Sequence, residues 1–232
     1  MKKVLIGGCS FSQYQHSNKY SPWLAWTDFA KTEFENKYQI INRAKSSYGQ
    51  SKIVESVLEE LFNHNFEIDY VIIQWSAISR AYSGNESQFL NKLIDQNELE
   101  FIAYSNDYVR LSTKPNTEIT TISNTISLNF YTASLNQIFL MKSLLNLKNI
   151  PYKMFWGWEQ ITNDLEFEFS PIINQIYDDN FWRYDKHGGM SEIIMDNIGH
   201  TDGFNGNDFH PSTKGQEFFY NTIIKDILNN IQ

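Results

Sequence analysis

The chain has 232 residues, which at ~150 residues for a usual domain points to one large domain rather than two. Its 19 Lys and Arg against 27 Asp and Glu leave a net charge of −8, without the basic excess that draws a chain to nucleic acid or anionic lipid, so both partners are disfavoured. An apolar fraction of 41%, with 17 Phe, 13 Tyr and 6 Trp, suffices for a core and excludes disorder as the main state.

The one cysteine, Cys9, rules out an internal disulfide and any site built from several thiolates. Lys2-Lys3 begins like a signal peptide, but the apolar run after it is only Val4-Leu5-Ile6 before Gly7-Gly8. It reads as a first strand. No stretch approaches the ~20 apolar residues of a membrane span, so the expectation is a cytoplasmic protein, or one released without a recognisable signal peptide.

In chain order, Val4-Leu5-Ile6 has the form of a strand buried on both faces. Ser21-Pro22 offers an N-cap and a first helical residue, with Trp23, Trp26, Ala30 and Phe34 at helical spacing after it. Gln39-Ile40-Ile41 reads as a second strand, Asn42 to Gly49 as a polar loop, and Ile53, Val54, Val57, Leu58, Leu61 and Phe62 as a helical stripe. Tyr70-Val71-Ile72-Ile73 makes a third strand. Such alternation is the mark of a parallel sheet wrapped by helices, so the class is α/β, a three-layer, doubly wound, mainly parallel sheet. Residues 82–118 form an insertion with hairpin composition between Leu99 and Leu111. Ile126 to Leu147 is a helix, Tyr152 to Trp156 a fourth strand, and 158–205 an aperiodic second insertion read as a lid or binding loop. The last helix starts near Ser212 or Thr213, with Gln216 completing a capping box after Thr213, and buries Phe219, Ile223, Ile227 and Ile231.

Ligands of a doubly wound sheet bind beyond the carboxyl ends of its strands, so the loops there carry the chemistry. After strand one stands Gly7-Gly8-Cys9-Ser10-Phe11-Ser12, whose small residues allow a tight turn holding Ser10 above the sheet. Before the last helix stands Asn207-Asp208-Phe209-His210-Pro211-Ser212. A serine needs an adjacent base to act as nucleophile, and a histidine needs an acceptor to fix its tautomer; Ser10, His210 and Asp208 supply all three. Cys9 is a rival nucleophile, but one place earlier in the turn it points to the other side. His200, His210, Asp202 and Asp208 resemble metal ligands only on paper, lacking a cysteine cluster or a helical His pair; no metal is expected.

In the order of these motifs the chain resembles the SGNH (GDSL-like) hydrolases over almost its whole length: a Gly-x-Ser turn, a glycine loop, a third-strand motif and an Asp…His-Pro segment. The resemblance implies a flavodoxin-like fold and a cofactor-free serine esterase, with Ser10, Asp208 and His210 as catalytic residues. It implies an oxyanion hole from the N–H groups of Ser10 and Gly49, the latter in Ser46-Ser47-Tyr48-Gly49-Gln50-Ser51. The family's Gly-x-Asn-Asp after strand three is here Gln74-Trp75-Ser76-Ala77, so its glycine falls on Gln74 and its asparagine on Ser76, either of which offers a third donor. The position three before His210 holds Asn207, so Asp208 and Asn207 compete to orient the imidazole. Arg80, Trp156 and Trp158 are candidates for substrate contact, Arg80 to clamp a carboxylate and the tryptophans to stack on sugar rings. The expected partner is a small-molecule or glycan ester, such as the O-acetyl group of a carbohydrate. Two alternatives stay open: an O-acyltransferase acting on a glycan, and a binding module that kept the fold without the chemistry.

Overall fold

The computed structural model describes residues 1–13, 23–46, 48–76, 81–82, 99–105, 108–113, 120–158, 171–205 and 210–231, with side chains outside 77–131. Five parallel strands form the main sheet in the order β2-β1-β3-β7-β8. These are β1 (Lys2–Gly7), β2 (Tyr38–Asn42), β3 (Tyr70–Trp75), β7 (Tyr152–Trp156) and β8 (Phe181–Trp182). Between β3 and β7 the short strands β4 (Ala81–Tyr82), β5 (Leu99–Ser105) and β6 (Tyr108–Thr113) make a separate antiparallel sheet, with β6 in its centre. The hairpin expected in the first insertion is β5 and β6.

Side chains alternate across the main sheet, and that alternation divides the core into two layers. Leu5, Val71, Ile73, Met154 and Trp156 face α2 (Gln50–Asn63) and α3 (Thr120–Leu147), packing with Ile53, Val57, Leu61, Leu135, Ile138 and Met141. Val4, Ile6, Ile72 and Phe155 face the other way, against Trp26, Ala30 and Phe34 of α1 (Trp26–Phe34) and Ile194 of α4 (Met190–Ile198). The C-terminal helix completes this second layer with Phe219, Ile224 and Leu228; it comprises α6 (Thr213–Phe219), a π turn (Tyr220–Ile224) and α7 (Lys225–Asn229). The result is the three-layer α/β arrangement expected from the sequence.

Three elements differ from the sequence reading. Helix α1 begins at Trp26, not at Pro22, which lies outside the described residues; Asp28 closes its first turn by accepting the Ala25 N–H at 2.8 Å. The stretch 171–205 is no covering loop, since it contributes β8, α4 and the short α5 (His200–Gly203), and buries Ile173, Ile176, Phe181, Ile194 and Phe204. A two-residue strand and short helices are too brief to register as periodicity. The last helix is capped by Ser212, whose Oγ accepts the Gly215 N–H at 3.1 Å, while Gln216 reaches elsewhere.

Candidate active site

The carboxyl end of β1 runs into a turn from Cys9 to Ser12, closed by the Ser12 N–H donating to the Cys9 carbonyl at 3.0 Å. Two glycines make the approach. Gly7 lets Val57 of α2 pack on the strand end, and a Cβ on Gly8 would stand 3.0 Å from the Ser12 Cβ. Ser10 occupies the second position of the turn and is 7% exposed.

His210 arrives from the other end of the chain. The bridge between Phe204 and Pro211, with the Asn205 N–H donating to the His210 carbonyl at 2.8 Å and the Ser212 N–H to the Gly203 carbonyl at 2.8 Å, ties its segment to α5. This brings His210 Nε2 to 2.9 Å from Ser10 Oγ, a hydrogen bond between residues from opposite ends of the chain. Phe11 meets the imidazole edge-on at 5.4 Å between ring centroids, and Trp158 tilts against Phe11 at 5.0 Å, so an aromatic wall flanks the serine–histidine pair.

The loop between β2 and α2 is stitched to the same turn. The Arg43 N–H donates to the Ile6 carbonyl at 2.8 Å, the Lys45 N–H to the Gly8 carbonyl at 3.2 Å, and Asn42 Nδ2 to the Ser12 carbonyl at 2.8 Å. Gly49 ends this loop as the buried N-cap of α2. Gln50, the first residue of that helix, donates through Nε2 to the Ser76 carbonyl at 2.7 Å and so joins the helix start to the end of β3. The Ser76 hydroxyl is fully buried without a partner among the described residues.

Gln74 is placed otherwise than expected. Its Nε2 donates to the Trp75 carbonyl at 2.6 Å, and the residue, with no exposed surface, turns its carbonyl, not its amine, toward the Cys9–Ser12 turn. It is therefore no spare oxyanion donor. Trp156 has no exposed surface, packs on Phe181 at 5.5 Å and donates to the Tyr177 hydroxyl at 3.0 Å, which makes it core and removes it from the substrate contacts. Trp158 is half-buried beside Phe11. Arg80, Asn207 and Asp208 lie outside the described residues. Of the other candidate ligands, His200 stacks on Phe204 and Asp202 pairs with Lys214 at 2.6 Å; among the described residues no cluster of three or more His, Cys, Asp or Glu gathers. Nor is any described helix long and apolar enough to cross a membrane.

Sequence reasoning missed the buried polar residues that join the loops. Ser12 accepts the Trp26 indole N–H at 2.9 Å, and Gln216 accepts the Trp26 backbone N–H at 3.0 Å while donating to the Phe11 carbonyl at 3.2 Å. The sequence reads Gln74 as a donor, but its internal role has a signal too, because a glutamine between Ile73 and Trp75 in a buried strand must find partners inside the protein.

With this geometry in view, solved structures provide the comparison. A psychrotrophic esterase, EstA, from a Pseudoalteromonas species superposes with a TM-score of 0.55 at 14% identity, over 99% of this chain and 100% of that one. The lipase/acylhydrolase from Enterococcus faecalis gives 0.55 at 12% identity, over 100% and 98%. The fold is that of the SGNH hydrolases. TesA matches likewise, with a TM-score of 0.52 at 9% identity, over 97% of this chain and 98% of that one. No family model and no curated protein matches the sequence, so the likeness is one of fold.

Proposed function

We propose that the chain is a serine ester hydrolase of the SGNH type. The observation that carries this reading is the 2.9 Å contact between Ser10 Oγ and His210 Nε2 above the carboxyl ends of a parallel sheet. Ser10 Oγ attacks the acyl carbon while its proton passes to His210 Nε2, and the carbonyl oxygen becomes an oxyanion facing the N–H groups of Ser10 and Gly49. Collapse of the tetrahedral species breaks the ester C–O bond, and the departing alcohol takes the proton from His210. Water then repeats the sequence on the acyl-enzyme, giving the acid and restoring Ser10. Asp208 accepts a hydrogen bond from the Nδ1–H of His210 and stabilises the imidazolium. No cofactor takes part.

Trp158, half-buried against the buried Phe11, supports a ring-bearing or apolar ester, of which a glycan ester such as a sugar O-acetyl group is one form. Esterase and lipase/acylhydrolase neighbours share this fold, which agrees with the reading. The test is treatment with a fluorophosphonate followed by peptide mass spectrometry. The expected result is one phosphonyl adduct on Ser10, absent from Ser10→Ala; an adduct elsewhere, or none, rejects the mechanism.

A further inference from the structure

Gln74 is a polar residue embedded in the sheet, and it and its neighbours Ile72, Ile73 and Trp75 have no exposed surface. Its Oε1 lies 3.2 Å from each of three donors, the Cys9 N–H, the Cys9 thiol and the Ser12 hydroxyl. An amide oxygen has two lone pairs, so the backbone N–H and the hydroxyl take the strong places and the thiol adds a weak third contact.

The orientation of this amide is dictated by its partners. A backbone N–H can only donate. Ser12 Oγ already accepts the Trp26 indole N–H, which leaves its own proton for Gln74. At the other end Nε2 faces the Trp75 carbonyl at 2.6 Å, which can only accept. Rotating the amide by half a turn would oppose N–H to N–H and oxygen to oxygen.

The surroundings leave the side chain no slack. A Cβ on Gly157 would stand 2.5 Å from Nε2, and one on Gly8 would stand 3.2 Å from Oε1. Cys9 and Ser12, the two anchors, are the first and last residues of the turn that carries Ser10.

We infer that Gln74 is a positioning residue for the nucleophile: its amide, reaching from β3 to both ends of the Cys9–Ser12 turn, sets where Ser10 Oγ stands relative to His210. The inference rests on the proposed serine mechanism and adds a residue that touches neither the substrate nor the reacting atoms. A displacement of about 1 Å at a reacting group can cost on the order of 100-fold in rate, so loss of this acceptor should show in chemistry rather than in binding.

The experiment measures the rate of phosphonylation of Ser10 in the whole protein, well below the unfolding temperature, for wild type, Gln74→Met, Gln74→Glu and Gly157→Ala. Methionine keeps the length and removes the acceptor. Glutamate keeps an oxygen toward the turn, and a protonated carboxyl still donates to Trp75. Gly157→Ala displaces the amide from behind without altering Gln74, and serves where the methionine variant does not fold. The expected result is a fall in the first-order rate of bound reagent of about 100-fold in Gln74→Met and Gly157→Ala, with its apparent binding constant within about threefold, and partial recovery in Gln74→Glu. A folded Gln74→Met or Gly157→Ala protein reacting within about threefold of wild type overturns the inference, as does Gln74→Glu reacting as slowly as Gln74→Met. Wild-type protein that takes no label at Ser10 instead overturns the serine mechanism itself.

Discussion

Glu33 on α1 and Lys225 at the start of α7 are joined by an ion pair of 2.7 Å, and the Tyr220 hydroxyl donates to the other oxygen of the same carboxylate at 2.7 Å. The Lys225 bond first and the Tyr220 bond second hold the Glu33 carboxyl below the ordinary glutamate value, against a smaller opposing effect of burial. The folded pKa therefore lies below the unfolded one. The stability this carboxylate contributes is complete above the unfolded value of about 4.3 and is lost as pH falls through the folded value. Lys225→Met should flatten the dependence of melting temperature on pH between about pH 5 and about pH 3, and high salt should mimic part of that change because the pair is exposed. Thermal unfolding across this range in both proteins checks it; identical slopes would mean that Lys225 does not hold the carboxylate in solution.

Tyr220 sees the same contact from the other side. Burial first, and the Glu33 carboxylate second, push its phenol above the ordinary tyrosine value, while burial alone pushes Tyr70 up to about 12. Both are acids whose neutral form the fold prefers, so their stabilisation is present below about pH 10 and is lost as pH rises through the folded values. Among the described tyrosines these two should ionise late, together with Tyr152 and Tyr184, whose phenols are raised by burial and by the hydrogen bond to Asp196 respectively, and Tyr220→Phe or Tyr70→Phe should each remove one late phenolate from an ultraviolet titration of the folded protein. A titration curve unchanged in either variant would refute the assignment.

Much of this fold is legible in the sequence, for a definite reason. β1, β3 and β7 are covered on both faces, so they are short apolar runs that need no periodicity to be seen. β8 has two residues and the helices after it are short, so their contribution to the core becomes visible only when the chain is folded. Ser10 and His210 were likewise readable, each in a local motif at a strand or helix end. Gln74 was seen as a residue of the site but with its amide reversed, because donor and acceptor ends cannot be told apart until Cys9, Ser12 and Trp75 are placed around it. The burial of Trp156 against the half-buried position of Trp158, two residues on, depends on where β7 ends, which sequence places only to within a few residues.

Gly189, the N-cap of α4, abuts the Trp156 backbone so closely that a Cβ there would overlap the carbonyl group. Gly189→Ala must move either the helix start or the buried end of β7, and should cost about 1–3 kcal/mol, the usual range for overpacking. Gly199 is a useful contrast, with φ of +80° and open space around its Cβ position, so Gly199→Ala suffers backbone strain alone. Denaturant unfolding of the two variants, combined with the phosphonylation rate, separates them: both lose stability, but only Gly189→Ala should also slow Ser10, because Trp156 is followed directly by Gly157, which abuts Gln74. Equal rates in the two variants would argue against that link.

Trp158 packs on Phe11, which in turn lies edge-on to His210, so its removal should alter substrate binding more than chemistry. Trp158→Ala should react with a small phosphonate within a few-fold of wild type and raise KM for aryl or glycan esters by about fivefold, the loss of one aromatic stacking contact of roughly 1 kcal/mol. Steady-state kinetics with a short alkyl ester and an aryl ester test this, and an equal KM change for both would assign Trp158 to packing of the site rather than to recognition.

Under the proposed mechanism, charge should decide which residue orients His210. Asn207 can accept a hydrogen bond from the imidazole, but a neutral amide cannot stabilise the imidazolium that forms when Ser10 gives up its proton, whereas the carboxylate of Asp208 can. Asp208→Asn should therefore reduce kcat by orders of magnitude, since the imidazolium loses its anionic partner. Asn207→Ala should leave kcat nearly unchanged. Steady-state kcat of the two variants distinguishes the residues: a wild-type kcat in Asp208→Asn beside a crippled Asn207→Ala enzyme would assign the orienting role to the residue three before the histidine and leave Asp208 as a charge ahead of the last helix.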